Sequence, residues 1–282
     1  MIRFDSVTKE YPDGSVAVHD ISFTAESHQT TVLVGSSGSG KTTLMRMVNR
    51  MVNPTQGTVS IDEADVADQN PVTLRRSIGY VMQQAGLLPH KNVLANIGTV
   101  LRLQGAHKSE VTQRVHELME LVGLDPSLGN RYPHQLSGGQ QQRVGVARGL
   151  ATNPNILLMD EPFSAVDPLV RADLQAELLR LQGELGKTIL FVTHDIDEAL
   201  CLSDKLVILN PQGTIAQTGT SADILANPAS EFVSQFLGAK GTQRTFTTRT
   251  TDAGTLIVDS HGRALGTLAA DAKPYRRNDS SL

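Results

Sequence analysis

Tryptophan is absent from this chain of 282 residues, and only one cysteine and four tyrosines occur. A single cysteine, Cys201, excludes an intrachain disulfide and fits a reducing compartment. No run of 18 apolar residues occurs, and residues 1–5 do not resemble a signal peptide, so no bilayer-spanning segment or leader is expected.

Basic residues are slightly fewer than acidic ones, with 25 Lys and Arg against 29 Asp and Glu. The formal net charge is −4, which argues against nucleic acid as the main partner. With 39% hydrophobic and 19% charged residues, the composition is that of a globular protein with one large domain or two smaller ones.

Apolar runs and polar breaks predict an alternation of strands and helices. The first half predicts strands at 2–7, 17–25, 30–34, 57–61 and 77–82, and helices at 42–51, 92–104, 108–122 and 139–151, with loops at 123–126 and 131–133. From residue 155 the alternation predicts strands at 156–159, 188–192 and 205–209, and helices at 169–183 and 196–202. This order predicts an α/β fold with a helical insertion at about 92–152.

A glycine-rich loop follows the strand at 30–34 and precedes a helix. Such a loop turns its backbone N–H groups and the helix N-terminus toward one point, where they bind phosphate. Lys41 is expected to contact the β- and γ-phosphates, and the Thr42 hydroxyl to contact Mg²⁺. The predicted nucleotide-binding residues here are Gly35, Ser36, Ser37, Gly38, Ser39, Gly40, Lys41, Thr42 and Thr43.

An apolar strand at 156–159 ends in two acids, Asp160 and Glu161. At the edge of a parallel sheet these carboxylates would lie beside the phosphates. Asp160 is predicted to hold Mg²⁺ through water. Glu161, expected to point the other way along the pleat, is predicted to polarise the attacking water.

A second glycine motif, Leu136-Ser137-Gly138-Gly139-Gln140, lies 20 residues before the acidic strand end. Ser137 and Gln140 fit a capping box, so one interpretation is simply a well-capped helix. The other is an anion site at a helix N-terminus, with glycines that allow close approach. One chain cannot easily place this helix end on its own phosphate loop, whereas a second copy can.

With both motifs in this order, the chain resembles the ATP-binding cassette (ABC) ATPases over residues 1–238. The resemblance implies a RecA-like P-loop core, an N-terminal antiparallel β subdomain and a helical signature subdomain. It implies ATP and Mg²⁺ as cofactors, and two chains that close head to tail over two ATP molecules. A P-loop kinase or GTPase would share the first motif and lack residues 136–140.

The resemblance also assigns roles to four residues outside these motifs. Tyr11 matches the aromatic that stacks on adenine, and Gln83 the glutamine that reaches Mg²⁺ and the water, although Gln84 stands beside it. Asp167 matches a loop that communicates across the dimer, and His194 the switch histidine at the γ-phosphate. Each residue also has a plain structural interpretation, as a strand-end tyrosine, a loop glutamine, a helix N-cap and a strand-end histidine.

The implied catalytic set is Glu161, His194, Gln83 and Lys41, and the implied metal set is Thr42, Gln83 and Asp160.

A finer resemblance is to the cassettes of quaternary-amine osmoprotectant importers, carried by strings at 47–50, 54–57 and 74–84. It implies separate membrane permeases, an extracytoplasmic binding protein, a second ATPase subunit, and a place at the cytoplasmic face of the plasma membrane. The apolar segment 86–93 matches the region that receives a permease helix. Cassettes for other amines or amino acids compete with this interpretation, as do, less strongly, soluble ABC ATPases acting on ribosomes or DNA and a regulatory binder without hydrolysis.

The composition changes near residue 238. Residues 241–251 are polar and predicted as a linker, and 256–259 with 264–268 predict a strand–turn–strand resembling part of a cystathionine-β-synthase-type (CBS) module. We therefore expect residues 239–282 to form a short extension, a truncated remnant of such a module, with a disordered tail from 271.

Overall fold

The computed structural model describes residues 1–83, 85–164, 166, 168–238, 247–251, 254–258 and 264–267. The chain divides into two compact units, Met1–Ala229 and Ser230–Leu282. The predicted domain boundary after residue 238 stays a prediction. Within the described residues, no helix is both long and apolar enough to cross a membrane.

An antiparallel sheet opens the first unit, as the resemblance implied. It consists of β1 (Ile2–Glu10), β2 (Val16–Ala25), β4 (Gln56–Ile61) and β5 (Ala64–Asp65), in the order β2-β1-β4-β5. At the start of β1, Ile2 and Phe4 are buried while Arg3 and Asp5 are exposed, and the rings of Phe4 and Phe23 stack with centroids 4.5 Å apart. This period of two is what gives a strand one core face and one exposed face.

A six-stranded sheet forms the centre of the unit. Its strands are β3 (Thr30–Gly35), β6 (Ile78–Val81), β7 (Ile156–Asp160), β8 (Thr188–Thr193), β9 (Lys205–Leu209) and β10 (Ile215–Gly219). The order is β10-β9-β3-β8-β7-β6, and only β10 runs antiparallel to its neighbour. Every residue of β3, β7 and β8 is buried, which explains why apolar residues predominate in these strands.

Ten helices accompany these strands among the described residues. They are α1 (Lys41–Val48), α2 (Pro71–Ser77), α3 (Val93–Ile97), α4 (Thr99–Leu103), α5 (Lys108–Leu121), α6 (Gly138–Leu150), α7 (Pro168–Leu185), α8 (Ile196–Leu202), α9 (Ser221–Ala226) and α10 (Glu231–Gly238). Short 3-10 turns occur at Val66–Asp68, Pro126–Asn130 and Pro133–Gln135, the last two in or beside the predicted loops. Helices α3 to α6 lie between β6 and β7 in the chain and form the predicted helical insertion.

The single helix predicted over 92–104 is wrong, because the chain breaks into α3 and α4 at Gly98. A Cβ at Gly98 would lie 2.7 Å from Cγ1 of Val111, so the close approach of α5 requires a glycine there. The sequence predictions also missed α2, α9, α10 and β10, which have at most eight residues each.

The second unit contains α10 and a three-stranded antiparallel sheet. Its strands are β11 (Thr247–Thr251), β12 (Gly254–Val258) and β13 (Ala264–Thr267), in that order. The predicted strand pair is thus confirmed. The predicted linker is wrong at residues 247–251, where threonine, a good strand former, supplies the sheet's first strand. The segment predicted to turn between these two strands and the tail from 271 lie outside the described residues.

Candidate functional site

The carboxyl ends of four neighbouring parallel strands carry most of the predicted site residues. In sheet order these strands are β3, β8, β7 and β6, and they lead into the glycine loop, His194, the Asp160–Glu161 pair and Gln83. Ligands in open α/β sheets bind beyond this edge. The topology therefore brings together residues that lie far apart in the chain.

The backbone of the glycine loop adopts, at two positions, a conformation in which residues other than glycine would be strained or would clash. Gly38 and Gly40 have φ angles of 83° and 88°, in the left-handed region. A Cβ at Gly40 would lie 2.2 Å from Cγ1 of Val18 and 2.5 Å from the carbonyl oxygen of Ala17. The hydroxyl of Ser36 is buried and has no hydrogen-bond partner among the described residues. The loop conformation thus requires glycine at residue 40. The Ser36 hydroxyl remains available to a ligand oxygen.

Lys41 lies at the first residue of α1 and folds back over the loop. Its Nζ donates to the carbonyl oxygens of Gly35 at 2.8 Å and Ser36 at 2.7 Å. Burial lowers the pKa of this ammonium, against the opposing effect of Glu161 and Asp160. A buried cation held mainly by neutral carbonyls favours the arrival of an anion.

Two hydroxyls hold the Asp160 carboxylate from opposite oxygens. Thr42 donates to Oδ1 at 2.9 Å and Tyr80, on β6, donates to Oδ2 at 3.3 Å. Burial first, and then the charge of Asp160, raises the pKa of the Tyr80 hydroxyl, which keeps its proton available for this bond. The sequence predictions did not single out Tyr80, although it stands three residues before Gln83.

Glu161 is the meeting point of the site. Its Oε2 accepts from Nε2 of Gln83 at 3.2 Å and lies 3.0 Å from Nδ1 of His194. A carboxylate only accepts, so Nδ1 carries the proton and Nε2 of His194 remains for another contact. The strand ends at Asp160, and Glu161 turns with a φ of 45° instead of continuing the pleat as predicted. A non-glycine residue in this region is held there by its surroundings, as occurs at functional sites.

The second glycine motif forms the start of α6. The Ser137 hydroxyl accepts from the Gln140 N–H at 3.3 Å, and the Gln140 side chain accepts from the Ser137 N–H at 3.0 Å, a complete capping box. Ser137 and Gly138 are exposed, whereas Gly139 is buried. The helix N-terminus is therefore capped by its own side chains, and its N-cap residue and first residue, Ser137 and Gly138, are exposed.

The remaining predicted residues are more scattered. Tyr11 is 38% exposed at the end of β1, and Nζ of Lys9 lies 5.2 Å from its ring centroid. Ser37 is exposed, Ser39 is buried and Thr43 is half-buried on α1. Asp167 and Gln84 lie outside the described residues.

Arg148 and Arg171 hold loops of this candidate site by hydrogen bonds. The sequence predictions did not include either arginine. Arg148, on α6, donates to the carbonyl oxygens of Ala85 at 2.6 Å and Gly86 at 2.7 Å, just after Gln83. Burial lowers the pKa of its guanidinium. Arg171, on α7, contacts the loop after Glu161 and the residue after His194. No local sequence pattern marks either arginine, because their partners are backbone carbonyls or a residue that is distant in the sequence.

Comparison with known sequences identifies a family profile that matches residues 18–164 and is described as ABC transporter. The chain is similar to the carnitine transport ATP-binding protein OpuCA of Listeria monocytogenes, 48% identical over 238 residues that cover 84% of this chain and 60% of the relative. It is equally similar to the choline transport ATP-binding protein OpuBA of Bacillus subtilis, with 48% identity, 84% of this chain and 62% of that protein. The chain thus spans about three fifths of the length of these relatives.

A shorter relative is matched over more of its length. The glycine betaine uptake system ATP-binding protein YehX of Escherichia coli is 46% identical, over 84% of this chain and 77% of that protein.

Solved structures give the same result for the fold. The dimeric post-hydrolysis state of the ATP-binding cassette MJ0796, bound to ADP and Pi, superposes with a TM-score of 0.71 at 33% identity, covering 78% of this chain and 99% of that chain. The protein cbiO1 from Clostridium perfringens, part of the ABC transporter complex cbiONQ, gives a TM-score of 0.74 at 26% identity, covering 85% of this chain and 95% of that chain.

Proposed function

This chain belongs to the ABC transporter family and has the fold of its ATP-binding cassettes, and from that premise we propose that it is the ATP-hydrolysing subunit of a solute importer. The cargo we propose is a quaternary-amine osmoprotectant such as glycine betaine, choline or carnitine. The observation that carries the ATPase proposal is the Glu161 carboxylate, held by Gln83 and His194 beside the phosphate loop.

In this proposal Glu161 orients water and accepts its proton. The hydrogen bonds from Gln83 and His194 fix the carboxylate before the nucleotide arrives, which lowers the reorganisation that the reaction requires. His194 is 56% exposed and keeps Nε2 for the γ-phosphate. Lys41 exchanges its bonds to the Gly35 and Ser36 carbonyls for bonds to phosphate oxygens, and its charge then offsets the charge that develops on them.

The residues also fit Mg²⁺, which prefers oxygen ligands and commonly takes one carboxylate together with substrate phosphates. The Thr42 hydroxyl and the Asp160 carboxylate lie 2.9 Å apart at the phosphate loop, and Gln83 is close to the same edge. Among the described residues, no group of three or more His, Cys, Asp or Glu side chains is arranged to hold a metal. Thr42, Asp160 and Gln83 would therefore hold Mg²⁺ jointly with the nucleotide. Bound there, the ion would neutralise phosphate charge.

We also propose that two chains complete each ATP site. The exposed N-terminus of α6, at Ser137 and Gly138, offers N–H groups and a helix dipole to an anion. Tyr11 would stack on adenine, and Asp167 would lie in the loop that crosses the dimer. In this arrangement residues 35–43 of one chain and 137–140 of the other enclose the nucleotide, so ATP drives closure and hydrolysis releases it.

A groove beside Gln83 supports the proposed permease contact. It has a volume of 380 Å³ and is lined by residues of the segment after Gln83 and of the helical insertion, among them Ala85, Gly86, Leu87, Pro133 and Gln141. Arg148 fixes the backbone of that segment. A short cytoplasmic helix of a permease would fit this groove, and it would hold the chain at the cytoplasmic face of the plasma membrane.

The cargo assignment is supported by the relatives named for carnitine, choline and glycine betaine transport. The chain itself has no tryptophan and four tyrosines, so a quaternary amine would be selected by a permease and an extracytoplasmic binding protein. The second candidate is an importer cassette for another amine or an amino acid.

Uptake of labelled glycine betaine tests this proposal, with choline and carnitine as competitors and at low and high osmolarity. The cells should contain this transport system and no other osmoprotectant importer. Lys41→Ala should abolish uptake, whereas Lys108→Ala, at an exposed position on α5, should leave it intact. Uptake that is unchanged in the Lys41 variant would contradict the osmoprotectant assignment.

A further inference from the structure

Arg171 joins two segments that flank the candidate catalytic residues. Its Nη2 donates to the carbonyl oxygen of Val166 at 3.3 Å, and its Nη1 lies 3.5 Å from Oδ2 of Asp195. Both side chains of the ion pair are largely buried, with Arg171 29% exposed and Asp195 18%. A partly buried pair with a forked donor fixes geometry more firmly than a surface pair does.

The first of these contacts leads to Glu161. Ser164 donates to the Glu161 carbonyl oxygen from its N–H at 3.2 Å and from its hydroxyl at 3.0 Å, and so begins a tight turn. Val166 continues the turn, with its N–H donating to the Phe163 carbonyl. Arg171 holds the far end of this turn from the first part of α7.

The second contact leads to His194. Asp195 follows it directly in the chain, and its N–H donates to the Thr193 hydroxyl at 3.0 Å. Oδ1 of Asp195 caps α8 by accepting from the N–H groups of Asp197 and Glu198, and its Oδ2 faces Arg171. His194 in turn lies against Glu161, so the contacts form a closed ring.

We propose that Arg171 is a positioning residue, which sets the Glu161 carboxylate and the His194 imidazole in register by holding both of their flanking segments. Arg171 touches neither nucleotide nor water in this proposal, which rests on the ATPase function proposed above. Displacement of a reacting group by about 1 Å can reduce a rate by about 100-fold, so the loss of such a brace affects turnover more than binding. The phosphate loop makes no contact with Arg171 among the described hydrogen bonds and ion pairs.

Steady-state ATP hydrolysis by the purified full chain tests this role through the split between kcat and KM. Arg171→Ala should lower kcat about tenfold or more, with the KM for ATP and the Kd for ATP within about twofold of wild type. Arg171→Lys, which can reach the Asp195 carboxylate or the Val166 carbonyl but not both, should give an intermediate kcat. The matched control is Arg180→Ala, on the same helix, whose guanidinium binds Glu177, Glu184 and the Leu121 carbonyl.

Asp195→Asn supplies an independent arm, because asparagine can still cap α8 but loses the ion pair. It should lower kcat to an intermediate value, because Arg171 keeps its bond to the Val166 carbonyl, and the double variant should be no slower than Arg171→Ala, which already removes the ion pair. If Arg171→Ala does not fold, Asp195→Asn and Arg171→Lys carry the test. Unchanged kcat in the folded variants, or an equal loss in Arg180→Ala, would overturn the positioning role. Wild-type protein that hydrolyses no ATP would instead overturn the proposed function.

Discussion

At the scale of single residues, the site depends on one carboxylate oxygen. Gln83 and His194 reach Oε2 of Glu161 across 78 and 33 residues of chain. The sequence predicts each of these residues from its motif. It cannot predict that they share one oxygen, because the shared contact depends on β6, β7 and β8 being neighbours in the sheet.

Tyr80 gives the first prediction at this scale. Tyr80→Phe removes the hydroxyl that donates to Oδ2 of Asp160 while preserving the ring that packs on the core. Loss of one hydrogen bond of about 1 kcal/mol should raise the Mg²⁺ concentration for half-maximal ATP hydrolysis about fivefold, with ATP affinity unchanged. Titration of activity with Mg²⁺ measures this.

The control for this experiment is Tyr132→Phe, at an exposed tyrosine of the helical insertion. It should leave the Mg²⁺ requirement at the wild-type value. A Tyr80→Phe protein with the same Mg²⁺ requirement as wild type would mean that Thr42 alone orients Asp160.

At the scale of elements, most helices and strands follow from local signals, and the exceptions have physical causes. The strands at 30–34, 156–159 and 188–192 are mostly apolar, and such runs predict buried parallel strands. The close approach of α5 at Gly98 was not predictable from the sequence, because the nearest atom that a Cβ there would meet belongs to Val111 on another helix. The contacts of Arg171 were also not predictable from the sequence, since one of its partners is a backbone carbonyl.

Helix α6 allows its capping function to be separated from its proposed ligand function. Ser137→Ala should lower the free energy of unfolding by about 1 kcal/mol through loss of the N-cap bond. The matched variant is Asn70→Ala, because Asn70 caps α2 by accepting from the N–H groups of Val72 and Thr73. Both should destabilise the chain similarly in denaturant, and only Ser137→Ala should also weaken ATP-dependent dimerisation. An equal effect of both variants on dimerisation would mean that Ser137 only caps α6 and does not bind a ligand.

At the scale of the whole molecule, the proposed dimer would assemble each nucleotide site from two parts of the chain. The phosphate loop with Glu161 would form one half, and the exposed start of α6 in the second chain would form the other. Each half has a strong sequence motif, which is why the family could be predicted from residues alone. The cargo is indicated only indirectly, by the strings at 47–50, 54–57 and 74–84, because the residues that would select it belong to the proposed permease and binding protein.

The most direct test of the composite ATP site is the mass of the Glu161→Gln chain in solution with and without ATP. Glutamine should block hydrolysis while leaving ATP bound, so we expect a mass of two chains with ATP and Mg²⁺ and of one chain with ADP or no nucleotide. Addition of Lys41→Ala or Ser137→Ala should weaken or abolish the dimer, because each removes a contact from one half of the composite site. A Glu161→Gln chain that binds ATP and remains a monomer at saturation would contradict the composite site.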